Sequence, residues 1–298
     1  MSTSVPDMQR RLAQRVDRVA AARLPVVASH SSSAPGRHQQ YRHIPAPRTL
    51  QPMSTTYWVR WAIEKKLIPP VAPSVAGTCR VCHGAVGIGQ DERPFDRCRN
   101  CRGYRTSLAG LVPIAYSMAG GLESLLHQYK DWGPEYAWMA KPLASVLYEF
   151  LSAHLACIQR RYGTCDVAAI VPGANASRPF DHLTTVIERL NQWPVVWETG
   201  LLQRVGQDRA SRGTVDPNVY RVADGRAVTG NTILLVDDTW TSGSSLVSAA
   251  SRLMADGAAS VVGLTIGRQL RGDFGTTHDV IAAVEARTFD NRRCVLCG

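Results

Sequence analysis

The 298-residue chain is 45% hydrophobic with a formal net charge of +10, which suits one catalytic-sized domain with appendages and a sizeable core. No run approaches the ~18 apolar residues of a membrane helix, and the polar, basic start lacks the apolar segment of a secretory signal. The cytoplasm is therefore the expected compartment, where the eight cysteines serve as metal ligands or free thiols rather than disulfides.

The charge is unevenly spread. Residues 1–50 hold eight Arg and two Asp, and residues 79–105 hold six Arg and three acids, whereas residues 106–298 hold 17 basic and 18 acidic residues. Any polyanion-binding role thus belongs to the first third of the chain. Pro6 to Leu24 reads as a basic helix, with Arg10, Arg11, Arg15 and Arg18 beside a Leu12, Val16, Val19 face. Pro25 to Pro52 is rich in Ser, Pro, His, Gln and Arg and reads as linker. Residues 1–52 form either a nucleic-acid or acidic-partner arm or a solvated tail, and Met53 offers an alternative start that would exclude them. Residues 53–76 hold a short helix, Tyr57 to Leu67, stopped by Pro69-Pro70. Its Trp58 and Trp61 suit packing on a neighbour, with base stacking as the alternative.

Cys79-Arg-Val-Cys82 and Cys98-Arg-Asn-Cys101 are two C-x₂-C knuckles 15 residues apart. Such spacing predicts a Cys₄ zinc ribbon over 77–105. Four thiolates leave no open coordination position, so the zinc is expected to be structural. A segment this small takes much of its folding free energy from the metal.

Residues 106–290 read as an α/β body. Pro142 to Arg160 is a long helix with Leu143, Val146, Leu147, Phe150, Leu151 and Leu155 on its apolar face. Val167 to Val171 is a strand. After it come Pro172, Gly173, Ala174, Asn175, Ala176 and Arg178, where small residues let an anion approach the backbone and Arg178 can pair with a phosphate. A plain strand-to-helix turn is the alternative. Asp181 to Leu190 is a helix, Val195 to Leu202 a strand, and Arg204 to Asn218 a polar stretch. Ala258 to Ile266 is a further strand, with Gly267-Arg268 expected on an acceptor side. The 291–298 tail carries Cys294-Val-Leu-Cys297. With the ribbon's four ligands complete, this pair needs a partner chain, another metal or oxidation to matter, and an exposed tail is the expectation. Cys157 and Cys165 read as core residues. Neither a G-x₄-G-K-[ST] loop nor a G-x-G-x-x-G turn is present, which argues against ATPase and dehydrogenase chemistry.

The most informative stretch is Thr232 to Leu246. Ile233 to Val236 reads as a buried parallel strand. It ends in Asp237 and Asp238, followed by Thr241, Ser242, Gly243, Ser244 and Ser245, and then a helix from Leu246 to Met254. Free amides at a helix start favour a phosphate in that loop. The two carboxylates can accept from ribose hydroxyls or hold Mg²⁺ through water.

This stretch resembles the phosphoribosyl-diphosphate (PRPP) motif of type I phosphoribosyltransferases: four apolar residues, two acids, two variable positions, then Thr, Thr or Ser, Gly, a small residue and Thr or Ser. Together with the preceding ribbon, the Leu122 to Lys130 helix ending in a Lys, and a strand ending in Val-Pro, the chain resembles the ComF family (competence protein F, GntX-like) over roughly residues 77–270. The resemblance implies a Rossmann-like type I phosphoribosyltransferase fold, a parallel sheet flanked by helices. It implies PRPP with Mg²⁺ as ligand and transfer of phosphoribose to a nucleophile with release of pyrophosphate. Asp237 and Asp238 would serve the ribose, Thr241 to Ser245 the 5′-phosphate, and Pro172 to Ala176 with Arg178 the pyrophosphate. Arg178-Pro-Phe-Asp181 stands where the family has an Arg-Gly-Phe-Asn-like segment. Residues 204–218 stand where type I enzymes carry a mobile hood, here short and without its Gln-rich part. The family's link to natural competence implies a DNA-uptake or recombination partner. A PRPP-sensing or docking module and a zinc-ribbon nucleic-acid binder are the alternatives.

Overall fold

The computed structural model describes residues 41–47, 53–71, 75–104, 107–131, 133–173, 180–205, 214–224, 226, 228–270 and 274–297. Most of the basic arm, Ala174, Asn175, Ala176 and Arg178 of the candidate pyrophosphate loop, and residues 206–213 of the candidate hood lie outside them.

The helices are α1 (Thr55–Glu64), α2 (Arg99–Gly103), α3 (Leu122–Asp131), α4 (Ala140–Tyr162), α5 (His182–Ile187), α6 (Ser244–Ala255) and α7 (Thr277–Glu285). The strands are β1 (Gly110–Ser117), β2 (Val167–Ile170), β3 (Leu202–Arg204), β4 (Tyr220–Val222), β5 (Thr232–Trp240) and β6 (Ser260–Gln269). Four of them form one sheet in the order β1-β6-β5-β2, with every pairing parallel. Helices cover both faces, which is why β5 and β6 read as nearly continuous apolar runs. Leu234 and Val236 face the core shared with α1, α3, α4 and α5, while Ile233 and Leu235 face the α6 side. β3 and β4 form a separate antiparallel pair.

Trp58 and Trp61 are buried, and both lie against Trp138, at ring-centroid distances of 6.0 and 5.7 Å. They are packing residues, as their spacing suggested, and are not available for base stacking. Within the predicted linker, residues 41–47 pack on α3: Ile44 is buried and its amide donates to Gln128 Oε1 at 2.9 Å.

Two expectations need correction. The strand expected over Val195 to Leu202 shrinks to a single bridge between Trp197 and Ala168, because the chain turns at Glu198–Leu201 and enters β3. β1 and α7 add to the elements expected from the sequence. β1 carries Pro113 and is the outer strand of the sheet; beyond its β6 ladder it makes a bridge from Ala115 to Pro70, with the Tyr116 amide donating to Pro69 O at 2.8 Å. The tail is not a free end: Cys294 is buried and Phe289, Cys294, Val295 and Leu296 pack on the main core.

Candidate functional site

Ligand sites in open parallel sheets lie beyond the carboxyl ends of the strands. At that end of β5, strand alternation sends Asp237 and Asp238 to opposite faces. Asp238 is buried and meets two groups that arrive from distant chain segments. Lys130 Nζ, in the last turn of α3, and His182 Nε2, at the start of α5, both contact its Oδ2. Burial by itself would raise the Asp238 carboxyl, but Lys130 and His182 overcome it and hold the group well below the usual carboxylate range. Asp237 goes the other way. Burial, and then the charge of Asp238 beside it, push it up to about 8, although Lys130 and the Asp238 amide, which donates to Asp237 Oδ1 at 2.8 Å, pull it down.

The small loop follows. Gly243 sits at φ +87 as the N-cap of α6, and a Cβ there would lie 2.2 Å from Trp240 Cζ2. Only glycine therefore allows this tight entry into the helix. Ser242 Oγ lies 3.0 Å from Ser244 Oγ and accepts from the Ser244 amide at 3.3 Å. Thr241 and Ser245 are exposed. The first turn of a 12-residue helix has amides without intrahelical acceptors, so the loop gathers hydroxyls and a partial positive charge in one place. The phenols of Tyr104 and Tyr220 face Ser242 and Ser245.

Beside the acids lies a cavity of about 230 Å³ lined by Ser117, Glu123, Lys130, Asp238, Thr241 and Gln269, among others. Ser117 Oγ and Gln269 Oε1, on two of the lining residues, are buried without a protein hydrogen-bond partner. A larger cleft, about 810 Å³, runs between α1, the β1–α3 turn and the end of α7, but none of the acid-pair or loop residues lines it.

On the β2 side, Pro172 and Gly173 follow the strand as expected. Asp181 caps α5 by accepting from the Thr184 amide at 2.8 Å, and it also accepts from the Gly173 amide at 3.3 Å. It thereby ties Gly173, just after β2, to the start of α5.

Cys79, Cys82, Cys98 and Cys101 come together as a buried cluster with all ligand atoms within 4.8 Å of one another. The Cys82 and Cys98 sulfurs are 3.7 Å apart, close to the ~3.8 Å edge of a ZnS₄ tetrahedron with ~2.3 Å bonds. The first knuckle is shaped by the Val81 amide donating to Cys79 Sγ at 3.4 Å and the His83 amide donating to Cys79 O at 2.8 Å. Hydrogen bonds from Cys101, Cys82 and Cys98 hold the Cys79 thiol far below its usual range, and the same contacts push Cys101 far above it. Four thiols this close need a cation to ionise together, so the residues present fit a structural zinc.

Arg268 does not line an acceptor side. It is buried, and its guanidinium binds the first knuckle and the end of β5. Gly84 leaves the space: a Cβ there would lie 1.9 Å from Arg268 Nη2. In sequence Lys130 only ends a helix, and no local motif marks His182 or the capping role of Asp181. Their signal is spatial, not local.

The geometry defines a parallel α/β sheet flanked by helices, with a buried Cys₄ cluster able to hold a metal ion. No family model matches the chain, and no curated protein matches it. Among solved structures, a hypoxanthine phosphoribosyltransferase from Staphylococcus aureus is distantly similar, with 12% identity and a TM-score of 0.28 over 45% of this chain and 77% of that one. Among the described residues, no helix is long and apolar enough to cross a membrane.

Proposed function

We propose that the chain is a ComF-like phosphoribosyltransferase-family protein that binds PRPP with Mg²⁺. The observation that carries this reading is the β5 end, where two carboxylates on opposite faces lead into a Gly243-dependent loop of hydroxyls at the start of α6. Thr241, Ser242, Gly243, Ser244 and Ser245 would hold the 5′-phosphate. Asp237 and Asp238 would accept from the ribose hydroxyls, with Lys130 and His182 keeping Asp238 ionised. Pro172 to Ala176 and Arg178 would face the pyrophosphate. Mg²⁺ bound with the diphosphate would offset its charge.

In transfer, a nitrogen lone pair bonds to C1′ while the C1′–O bond breaks and pyrophosphate leaves with the bonding pair. Positive charge grows on the ribose ring, and Asp237 and Asp238 would stabilise it. Pyrophosphate release, measured with PRPP and a panel of bases and amine donors, tests the catalytic half of the proposal. Release with one acceptor supports transfer, whereas PRPP binding without release from any of them supports the sensing or docking alternative. The ComF resemblance supports a cytoplasmic role in DNA uptake or recombination beside a helicase-type or strand-exchange partner.

A second reading draws on the cysteine module. Arg80, Arg93, Arg97, Arg99 and Arg102 are all exposed on it, which favours nucleic-acid contact through the module together with the basic arm.

A further inference from the structure

We propose that His154, Cys157, Cys294 and Cys297 form a second, structural zinc site that fastens the C-terminal segment to α4. It lies outside the Cys₄ module and does not depend on the phosphoribosyl reading.

Each half of the site is a short local motif. His154 and Cys157 are three residues apart on α4, a spacing that puts both on one helical face. Cys294 and Cys297 form a C-x₂-C knuckle. Its turn repeats the geometry of the first ribbon knuckle: the Leu296 amide donates to Cys294 Sγ at 3.4 Å, as the Val81 amide does to Cys79 Sγ at 3.4 Å.

The two halves converge without help from the rest of the site. All four ligand atoms lie within 4.8 Å of one another. Cys297 Sγ is 3.6 Å from His154 Nδ1, Cys157 Sγ is 3.8 Å from the same nitrogen, and the Cys294 and Cys297 sulfurs are 3.3 Å apart. Tetrahedral zinc with bonds of ~2.3 Å to sulfur and ~2.0 Å to nitrogen requires S···S of ~3.8 Å and S···N of ~3.5 Å; both contacts to His154 Nδ1 lie within ~0.3 Å of this, and the Cys294–Cys297 pair is ~0.5 Å shorter than the tetrahedral edge. The sulfur pair is far beyond the ~2.05 Å of a disulfide.

The outer shell also fits. His154 Nε2 lies 2.9 Å from the Asn291 carbonyl, the acceptor that places the proton on Nε2 and leaves the Nδ1 lone pair for a metal. Asn291 is itself held, because its side-chain amide donates to the Glu149 carbonyl at 3.0 Å. His154 and Cys294 are buried, and Phe150 packs on the imidazole with a centroid separation of 4.8 Å. Three thiolates and one imidazole complete a tetrahedron with no open position, so the site is structural. A sulfur-rich tetrahedral set selects zinc over hard cations.

The test is metal stoichiometry on the full chain, purified with reductant and supplied with zinc. The wild type should carry two zinc ions per chain, Cys294→Ser/Cys297→Ser one, and Cys79→Ser/Cys82→Ser one. Should a variant fail to fold, X-ray absorption at the zinc edge of the wild type still decides. Two filled sites give an average of seven sulfurs to one nitrogen, and the ribbon alone gives sulfur only. One zinc per chain in the wild type would overturn the proposal, whether Cys157, Cys294 and Cys297 alkylate freely under native conditions or Cys294 and Cys297 form a disulfide.

Discussion

Arg268 Nε donates to the Cys82 carbonyl at 3.0 Å, and Arg268 Nη2 lies 3.3 Å from Cys82 Sγ. Through Nη1 the same guanidinium donates to the Trp240 carbonyl at 3.2 Å. One buried side chain thus ties the cysteine knuckle to the last residue of β5, directly before the candidate phosphate loop. Tyr116 and Thr276 add to the joint, donating to His83 O and Gly77 O at 2.6 Å each.

Arg268→Ala should therefore lower stability by about 2–4 kcal/mol, since it strips charged hydrogen bonds from two buried carbonyls. Lysine lacks the forked geometry, so Arg268→Lys should recover little of it. Thermal denaturation reads the loss, and the rate of zinc release to a chelator should rise in both variants. An unchanged melting temperature would show that the joint bears no load.

The acid pair makes a prediction about pH. Asp237 is pushed up to about 8, above the ~3.9 of an unfolded Asp. Between those values the folded state holds a proton that the unfolded state has released, so this group's contribution falls as pH rises from about 4 to 8. Asp238, depressed in the fold, contributes stability above the unfolded value and loses it as pH falls below about 4. Asp237→Asn should thus stabilise the protein by about 1–3 kcal/mol at pH 8 and much less at pH 4, while weakening PRPP binding. Denaturant titrations at the two pH values check it, and equal effects at both would contradict the assignment.

Gly243→Ala places a Cβ against the Trp240 ring at a left-handed backbone position. The strain should cost about 1–2 kcal/mol and deform the loop, so ligand affinity should drop well beyond what the change in melting temperature explains. Retention of wild-type affinity would remove the loop from the site.

Polyanion binding through the first third of the chain makes its own forecast. Affinity for single-stranded DNA should fall steeply with salt, and Arg97→Ala/Arg99→Ala should flatten the slope of log K against log salt by up to about 2. A salt slope that the substitutions leave unchanged would place the contact elsewhere.

Local features of this fold were legible and long-range ones were not. β5, its acids and the loop into α6 could be read from consecutive residues, as could α4 and the two C-x₂-C knuckles of the ribbon. Lys130 and His182 could not be joined to Asp238, because they lie 108 and 56 residues away from it. β1 was hidden by Pro113, a residue that argues against a strand. Arg268 was assigned outward because a strand end suggests a site, whereas the knuckle packed over it turns the guanidinium inward. The C-terminal knuckle looked incomplete for the same reason: His154 lies 143 residues before Cys297.

The most direct measurement is a calorimetric titration of PRPP with Mg²⁺ into zinc-loaded protein, wild type beside Asp237→Ala/Asp238→Ala. Saturable binding by the wild type that the double substitution abolishes, with circular dichroism unchanged, is the expected result. No binding by the wild type at millimolar PRPP, or equal binding by the variant, would contradict it.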